Sequence, residues 1–553
     1  MAATASLRLR SAYDNAALRR LVLAHAVSTV GYWGATTALL VYAYDQGGTW
    51  LVGVAAFVRV FPAAVASPFA GALADRHPRE RVLLVGDLLR MVTMGVVATC
   101  VALGAPEVFV LTLAAVNAAL FSSFRPAMRA LTPALSRTTE QLTAANVMAS
   151  AVESVGMLAG PAIGGVLLVA SGPAVVFAAA AATLGLSAAL VAGLRPRPGS
   201  ATVARDSPAA PRASLLSEMR EGARAVAGDG SLRLIMLLTA GQTLSYGALS
   251  VLIVSLGTEV LDAGDGWVGY LNAALGLGGL VGALTVVPRL VGRLTTSAAG
   301  GLVLWGLPLC AIGLWPNRAA AIAAIVVIGV TNTLVDVTLN TMLQRVAPAD
   351  ALARVFAMLG TVAMGAIAIG GLLTPALVAL LGTRGALVAV GLLLPLLVLC
   401  TVPALRVLAA RVAATVPAAA WLRGVPLLAE LPAAALEELA RRAALVRAGV
   451  DAVVVADGQP GSRFYVIVDG RADVSVEGRL VRRLQAGDCF GESALLRDAP
   501  GNATVRAVGE LRLLALERAD FVAAVARAAG LTGVALEGHG NGSIVAAAPR
   551  HCA

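Results

Sequence analysis

The chain has 553 residues, of which 58% are hydrophobic and only 13% charged, with a formal net charge of +10. A soluble domain carries roughly 25% charged residues, so this balance, with a mean hydropathy of +0.83, points to a membrane protein. It also sets aside nucleic acid as the reason for the positive charge. The basic side chains are all Arg, and lipid headgroups and the cytosol are the surroundings that suit them.

Residues 1–20 hold Arg8, Arg10, Arg19 and Arg20 and read as a cytosolic N-terminal segment. The apolar run that follows is too long for the core of a signal peptide and reads as a first membrane span. Twelve stretches reach the ~20 apolar residues that cross a ~30 Å hydrocarbon core at 1.5 Å per residue. They are 21–44, 51–73, 82–103, 107–124, 143–170, 174–194, 232–260, 267–287, 296–314, 319–341, 355–381 and 384–404. They are numbered as segments 1 to 12. Very short turns join them, except at 195–231, an Arg-, Pro-, Ser- and Ala-rich loop with a short amphipathic helix expected around 215–227. The layout is one six-helix half at 21–194 and a second at 232–405.

Charge sets the orientation. With the N-terminus inside, the inner loops hold Arg76, Arg79, Arg81, Arg125, Arg129, Arg137, the arginines of 195–233, Arg289, Arg293, Arg345 and Arg354. The outer turns hold only Arg318 and Arg384. Positive loops stay in the cytosol, so both termini are expected there, with the chain multi-pass in the plasma membrane. The halves echo each other weakly: Arg129 to Pro133 corresponds to Gln344 to Pro348, and Gly-Ala-Leu recurs at Gly71 and Gly282.

Past Leu405 the composition changes. Residues 406–425 form an Arg- and Pro-containing linker. Residues 426–530 show an amphipathic helix near Leu436–Arg442, then short alternating strands broken by Gly and Asp. About a hundred residues suffice for one small core. Residues 531–553, rich in Gly and Ala, read as a flexible tail.

Several motifs carry chemistry. The loop after segment 2 reads Gly71-Ala-Leu-Ala-Asp75-Arg76-His-Pro-Arg79-Glu-Arg81. It resembles the signature loop of the major facilitator superfamily, with Pro78 at a usual Gly and Glu80 interrupting the basic run. The resemblance covers about 1–405. It implies an all-α fold of twelve transmembrane helices in two halves, and a cytosolic gate at Gly71, Asp75, Arg76 and Arg79. Segment 5 carries Gly156-x3-Gly160-Pro161-x2-Gly164-Gly165, which resembles the motif of exporter-type members, with Val147 in place of its first Gly. Physically this is a smooth helix face with a Pro that frees a carbonyl, suited to close packing and bending. The run from Phe124 to Pro133, followed by Leu142-Thr-Ala-Ala-Asn146, is similar to the siderophore- and macrolide-exporter branch.

Ionisable groups inside spans cost roughly 2.5–3.5 kcal/mol each on insertion scales, so they are candidate functional residues. Glu153 and Asp336 lead, followed by Arg59 and His25. Glu153 could carry a coupling proton; the alternatives are a structural pair with Arg59 or a hydrogen-bonded carboxylate. The Arg-containing segment-4 motif of proton-coupled antiporters is absent. Asp87 and Arg90, at i and i+3, are expected to pair with each other or with the loop.

In the C-terminal region, Asp457 to Gly470 resembles the first β-roll of cyclic-nucleotide-binding domains, Phe490-Gly491-Glu492-Ser493-Ala494-Leu495 resembles their phosphate cassette, and Pro500-Gly-Asn502-Ala503-Thr504-Val505 fits its second half. The resemblance implies a β-roll (jelly-roll) with flanking helices. Glu492 would accept from the ribose 2′-hydroxyl, and backbone N–H groups from Gly491 to Ala494 would cradle the phosphate. The family's phosphate-pairing Arg is Gly501 here, and Gly-rich sequence from Gly530 weakens the lid helix. Binding of cAMP or cGMP as a regulatory ligand is therefore expected to be weak or absent, and the alternative is a β-roll kept for docking or assembly.

Cys100, Cys310, Cys400, Cys489 and Cys552 show no paired spacing and read as small hydrophobes, and the four histidines do not cluster, so no metal site or cofactor is expected. No catalytic constellation marks an enzyme. The sequence reads as a secondary active transporter of a small molecule, exporting by alternating access, with a cytosolic regulatory domain. A lipid or lysolipid transporter of the same fold and a non-transporting cyclic-nucleotide receptor are the alternatives.

Overall fold

The computed structural model describes residues 15–528 apart from 123, 137–138, 195–214, 291–293, 348–350, 426–427, 429–430, 432–435, 437–438, 441, 460–461, 493–494 and 496–502. The chain forms two compact units: 1–343 with 350–405, and 344–349 with 406–553.

The first unit is helical. Among the described residues, eight helical stretches are long and apolar enough to cross a membrane. Three of them run through a bend. Ala16–Arg76 turns at Gly47 and Gly48, Thr139–Ala192 at Gly172 and Leu352–Arg423 at Gly382. Gly48, Gly172 and Gly382 all have positive φ, which a side chain would resist. These bends lie where the sequence places the turns after segments 1, 5 and 11. Segment 4 is the shorter apolar helix Glu107–Phe121.

The remaining helices are Arg79–Ala102, Gly230–Ser255, Gly266–Val281, Leu294–Leu314 and Arg318–Val346. Two π-turns follow, at Leu256–Val260 and Gly282–Val286. The amphipathic helix expected in the central loop forms at Leu215–Gly228, and its Glu221 pairs with Arg354 at the start of segment 11.

Two regions differ from the sequence reading. The stretch after segment 4 is not a loop but the helix Phe124–Leu135. Phe124, Ala127, Met128, Leu131 and Leu135 are buried with Leu18, Leu21, Val82 and Leu83 in one cluster. The 406–425 linker is helical through Arg423, because its many Ala residues outweigh Pro417. A cysteine also departs from expectation. Cys400 is exposed.

Glycine sets the approach between the two helical halves. A Cβ on Gly269 of segment 8 would lie 2.6 Å from Gly165 Cα and 2.7 Å from Pro161 O of segment 5. A Cβ on Gly53 of segment 2 would lie 3.0 Å from Gly371 O of segment 11. Segments 5 and 8, and segments 2 and 11, therefore pack backbone to backbone across the boundary between halves.

The second unit is a β-roll of two four-stranded antiparallel sheets. One has the order β1-β8-β3-β6, with β1 Ala444–Ala448, β8 Leu511–Glu517, β3 Arg463–Asp469 and β6 Cys489–Phe490. The other has the order β2-β7-β4-β5, with β2 Val453–Val455, β7 Thr504–Ala507, β4 Arg471–Val476 and β5 Arg479–Gln485. Ile467, Phe490, Leu511 and Leu513 of one sheet meet Ala472, Val474, Leu484 and Val505 of the other. The helix Arg518–Ala528 closes the fold, Phe521 stacking on Phe464 with ring centroids 4.2 Å apart.

Candidate functional site

The ionisable groups of the spans sort into separate arrangements. Asp87 and Arg90 pair on one helix, as the sequence indicates, with Arg90 Nη1 donating to Asp87 Oδ1 at 3.1 Å. Both are fully buried, 0% and 1% exposed. Ser187 Oγ donates to the other Asp87 oxygen at 2.6 Å, and the guanidinium also reaches Ser28 Oγ at 3.3 Å and lies 4.8 Å from the Phe121 ring centre. This knot ties segments 1, 3, 4 and 6 together.

Glu153 pairs with His25, Oε2 to Nε2 at 3.7 Å, and not with Arg59. His25 is buried. Its Nδ1 lies 3.3 Å from Thr29 Oγ1, and its ring stacks on Phe124. Glu153 is half-buried.

Arg59 and Asp336 belong to a third arrangement, which draws on both halves. Gln242 and Tyr246 on segment 7 lie beside Asp336 of segment 10, and Tyr246 is within electrostatic reach of Arg59, Asp336 and Tyr32. Gln242 Nε2 donates to Asn332 Oδ1 at 2.8 Å, and Trp305 Nε1 donates to the same oxygen at 3.2 Å. Gln242 is 2% exposed, yet its Oε1 has no hydrogen-bond partner. Arg59 Nε and Trp33 Nε1 are likewise buried without a partner. Asp336 is exposed although the Gln242 side chain reaches it. Buried polar groups are normally satisfied, so Gln242 Oε1 and Arg59 Nε are each open to a further hydrogen bond.

The span-5 glycines face two ways. A Cβ on Gly156 would meet Thr29 Cγ2 at 2.5 Å, one on Gly160 Val30 O at 2.7 Å, and one on Gly164 Gly34 Cα at 3.0 Å, all on segment 1. Gly165 meets segment 8 instead. One short motif, broken by Pro161, thus joins a contact inside one half to a contact between halves.

Of the expected gate residues, Gly71, Asp75 and Arg76 lie in the helix that ends at Arg76, and Arg79 opens the next. The opposite end carries a junction that sequence reasoning missed. Tyr44 Oη donates to Glu259 Oε1 at 2.8 Å, Thr383 Oγ1 donates to Glu259 Oε2, and Thr49 and Ser255 hydroxyls lie 3.2 Å apart. Tyr44 and Thr49 belong to the first half, the others to the second. Glu259 sits in a π-turn, and the signal for it was an acid inside an otherwise apolar stretch.

In the second unit Gly491 has φ +94°, and a Cβ there would lie 2.7 Å from Arg463 O. Glu492 follows it and is buried. Thr504 Oγ1 accepts from Asp457 N–H at 3.2 Å, with Ala503 adjacent. Ser493, Ala494, Gly501 and Asn502 lie outside the described residues. Arg506, three residues beyond Ala503, donates to Asp451 O at 3.0 Å.

Comparison with known proteins joins these observations. The family model of the Major Facilitator Superfamily matches residues 21–371. The chain belongs to that superfamily. A cyclic nucleotide-binding domain is matched over residues 446–528. Among solved structures, a POT family transporter in complex with a thioalcohol-conjugated peptide aligns with a TM-score of 0.53, covering 70% of this chain and 96% of that one. At 16% identity it shows likeness of fold alone.

Curated relatives match the C-terminal domain. A cAMP-dependent protein kinase regulatory subunit of Eremothecium gossypii is 45% identical over 69 residues, 12% of this chain and 15% of that protein. A cyclic nucleotide-gated potassium channel of Rhizobium etli is 42% identical over 99 residues, 18% of this chain and 27% of that one. The chain spans so little of these proteins that they bear on this domain only. The superfamily member described here is thus a multi-span membrane protein with a cyclic nucleotide-binding domain fused behind its helices.

Proposed function

We propose that this superfamily member is a secondary active transporter that exports a small molecule by alternating access and is regulated through its C-terminal domain. The observation that carries the reading is the polar cluster of Arg59, Gln242, Tyr246 and Asp336. It is assembled from both halves and has unfilled hydrogen-bonding valences. A site that both halves share can be opened to either side when one half rocks against the other. The glycine contacts between segments 5 and 8 and between segments 2 and 11 supply smooth surfaces for that motion, and three bent helical stretches plus the shorter Glu107–Phe121 support twelve crossings.

The Arg asymmetry supports a reading with both termini in the cytosol, and the transporter is read as a plasma-membrane protein. The exporter-like glycine motif of segment 5 favours outward transport. His25 and Glu153 form a pair suited to proton coupling. Gly491, Glu492, Ala503 and Thr504 offer a pocket for a cyclic nucleotide that the missing Arg leaves weak.

Toxicity profiles of deletion and overexpression strains test the reading. Compounds that become more toxic on deletion and less toxic on overexpression support export. A change confined to lipid composition points instead to a lipid transporter, and no cargo phenotype at all points to a receptor.

A further inference from the structure

Of the charged groups inside the spans of the first half, Asp87 has Arg90 and Glu153 has His25. Arg59 is the exception. Its Nε is buried without a hydrogen-bond partner, and among the described residues it forms no ion pair. A carboxylic acid or an imidazole can shed its charge by moving a proton. A guanidinium cannot, because it stays protonated in proteins. An unpaired charge in a membrane span is costly, so the energy stored at Arg59 is released by a group that brings the opposite charge.

The surroundings define that group further. Tyr246 stands within electrostatic reach of both Arg59 and Asp336, and among the described residues the cationic and anionic side chains form no ion pair with each other. Gln242 Oε1 adds an open acceptor on the Asp336 side, and Asn332 is already occupied by Gln242 and Trp305. The guest is therefore asymmetric, with an acceptor-rich anion at the Arg59 end and a hydrogen-bond donor at the Gln242 and Asp336 end.

We propose that Arg59 is the specificity-determining residue of the cargo site and that the cargo is an organic oxyanion, a carboxylate, phosphate or sulfate carried on a body that also bears a hydrogen-bond donor. The planar guanidinium fork suits such oxyanions and holds them by paired bonds. The inference rests on the transporter reading for its function, but its chemistry is a binding chemistry and is tested as one.

The test uses the purified full-length chain in detergent and three probes of one shape: 2-naphthylacetate, its neutral amide 2-naphthylacetamide, and cationic 2-naphthylethylamine. Ligand-induced shifts in melting temperature are followed over a concentration series. The acid is expected to raise the melting temperature and the amide and amine to leave it unchanged. Arg59→Gln is expected to weaken acid binding at least tenfold, and Arg59→Lys, which keeps the charge and loses the fork, to fall between. If Arg59→Gln does not fold, Arg59→Lys against the native chain decides the matter. Equal or better binding of the amide or amine, unchanged acid affinity in the Arg59 variants, or binding of no probe overturns the inference. Arg59-dependent acid binding by a chain that gives no cargo phenotype would instead retire the transporter reading and leave the anion site standing.

Discussion

Glu259→Ala should loosen the junction between the two halves at the end opposite Arg76. The variant removes the acceptor for Tyr44 Oη, a 2.8 Å bond that crosses from one half to the other. A hydrogen bond to a charged group contributes roughly 1.5–3 kcal/mol. Glu259 is exposed, so water recovers part of this, and about 1.4 kcal/mol is a reasonable loss. That corresponds to about a tenfold shift away from the state joined at this end.

The Thr49 and Ser255 hydroxyls, 3.2 Å apart across the same junction, provide the assay. With the native cysteines replaced by Ser, Thr49→Cys and Ser255→Cys should crosslink under mild oxidation. Adding Glu259→Ala should slow crosslinking five- to tenfold. Tyr44→Phe should do nearly the same, and the double variant no more than either alone, since both remove one bond. Thr383→Ala should have a smaller effect, because Thr383 orients Glu259 from within its own half. An unchanged crosslinking rate in Glu259→Ala, or fully additive effects of Glu259→Ala and Tyr44→Phe, would refute the reasoning.

Glu153→Gln should keep near-normal expression and impair efflux, as measured by the toxicity profile; full efflux would leave the His25 pair a structural role. Gly269→Val should reduce transport strongly with modest loss of protein, since its side chain would enter the Gly165 and Pro161 backbone, and unaltered transport would show that these segments need not meet. The full-length chain should bind cAMP or cGMP weakly or not at all in equilibrium binding, and Gly501→Arg should tighten binding by one to two orders of magnitude, given ~1.5–3 kcal/mol for a charged hydrogen bond; micromolar binding by the native chain would contradict this. Asp473 accepts from Arg483 Nε at 2.6 Å, and that bond holds its carboxyl below the usual range. Its contribution is present above the unfolded carboxyl's ordinary range and is lost as pH falls through the lowered folded value, so Asp473→Asn should lower the melting temperature of the C-terminal domain slightly at neutral pH and not in strong acid.

The span pattern was legible because membrane insertion imposes length and hydropathy on each segment separately. The helix Phe124–Leu135 was also written in the sequence: 124, 127, 128, 131 and 135 follow helical spacing and are the positions buried. Its Arg and Pro residues masked that period. Partnerships were less legible. Glu153 could have met Arg59 or another group, and only the packing of segments 1 and 5 brings it to His25. Gln242 and Asn332 escaped notice because a search for charge inside spans passes over neutral amides.

Arg318 and Arg384, the two exceptions to the Arg asymmetry, have a local explanation. Arg318 donates to Leu261 O and Asp262 O, and Arg384 to Gly313 O and Leu314 O. Each holds the carbonyl end of a helix, where a cation is stabilising.

The Asp87–Arg90 pair bears on biogenesis. Its members are three residues apart on one helix, so the bond can close while that helix is still alone in the insertion machinery. Two separate charges would each oppose entry into lipid by roughly 2.5–3.5 kcal/mol, whereas a closed pair enters nearer to neutral. Asn117 and Ser187 lie downstream and are synthesised later; Asn117 Nδ2 then donates to Arg90 O at 3.4 Å, and Ser187 to Asp87. The helix Arg79–Ala102 thus carries its own passport into the bilayer and leaves two docking points for segments not yet made, which gives the first half an order of assembly that follows the order of translation.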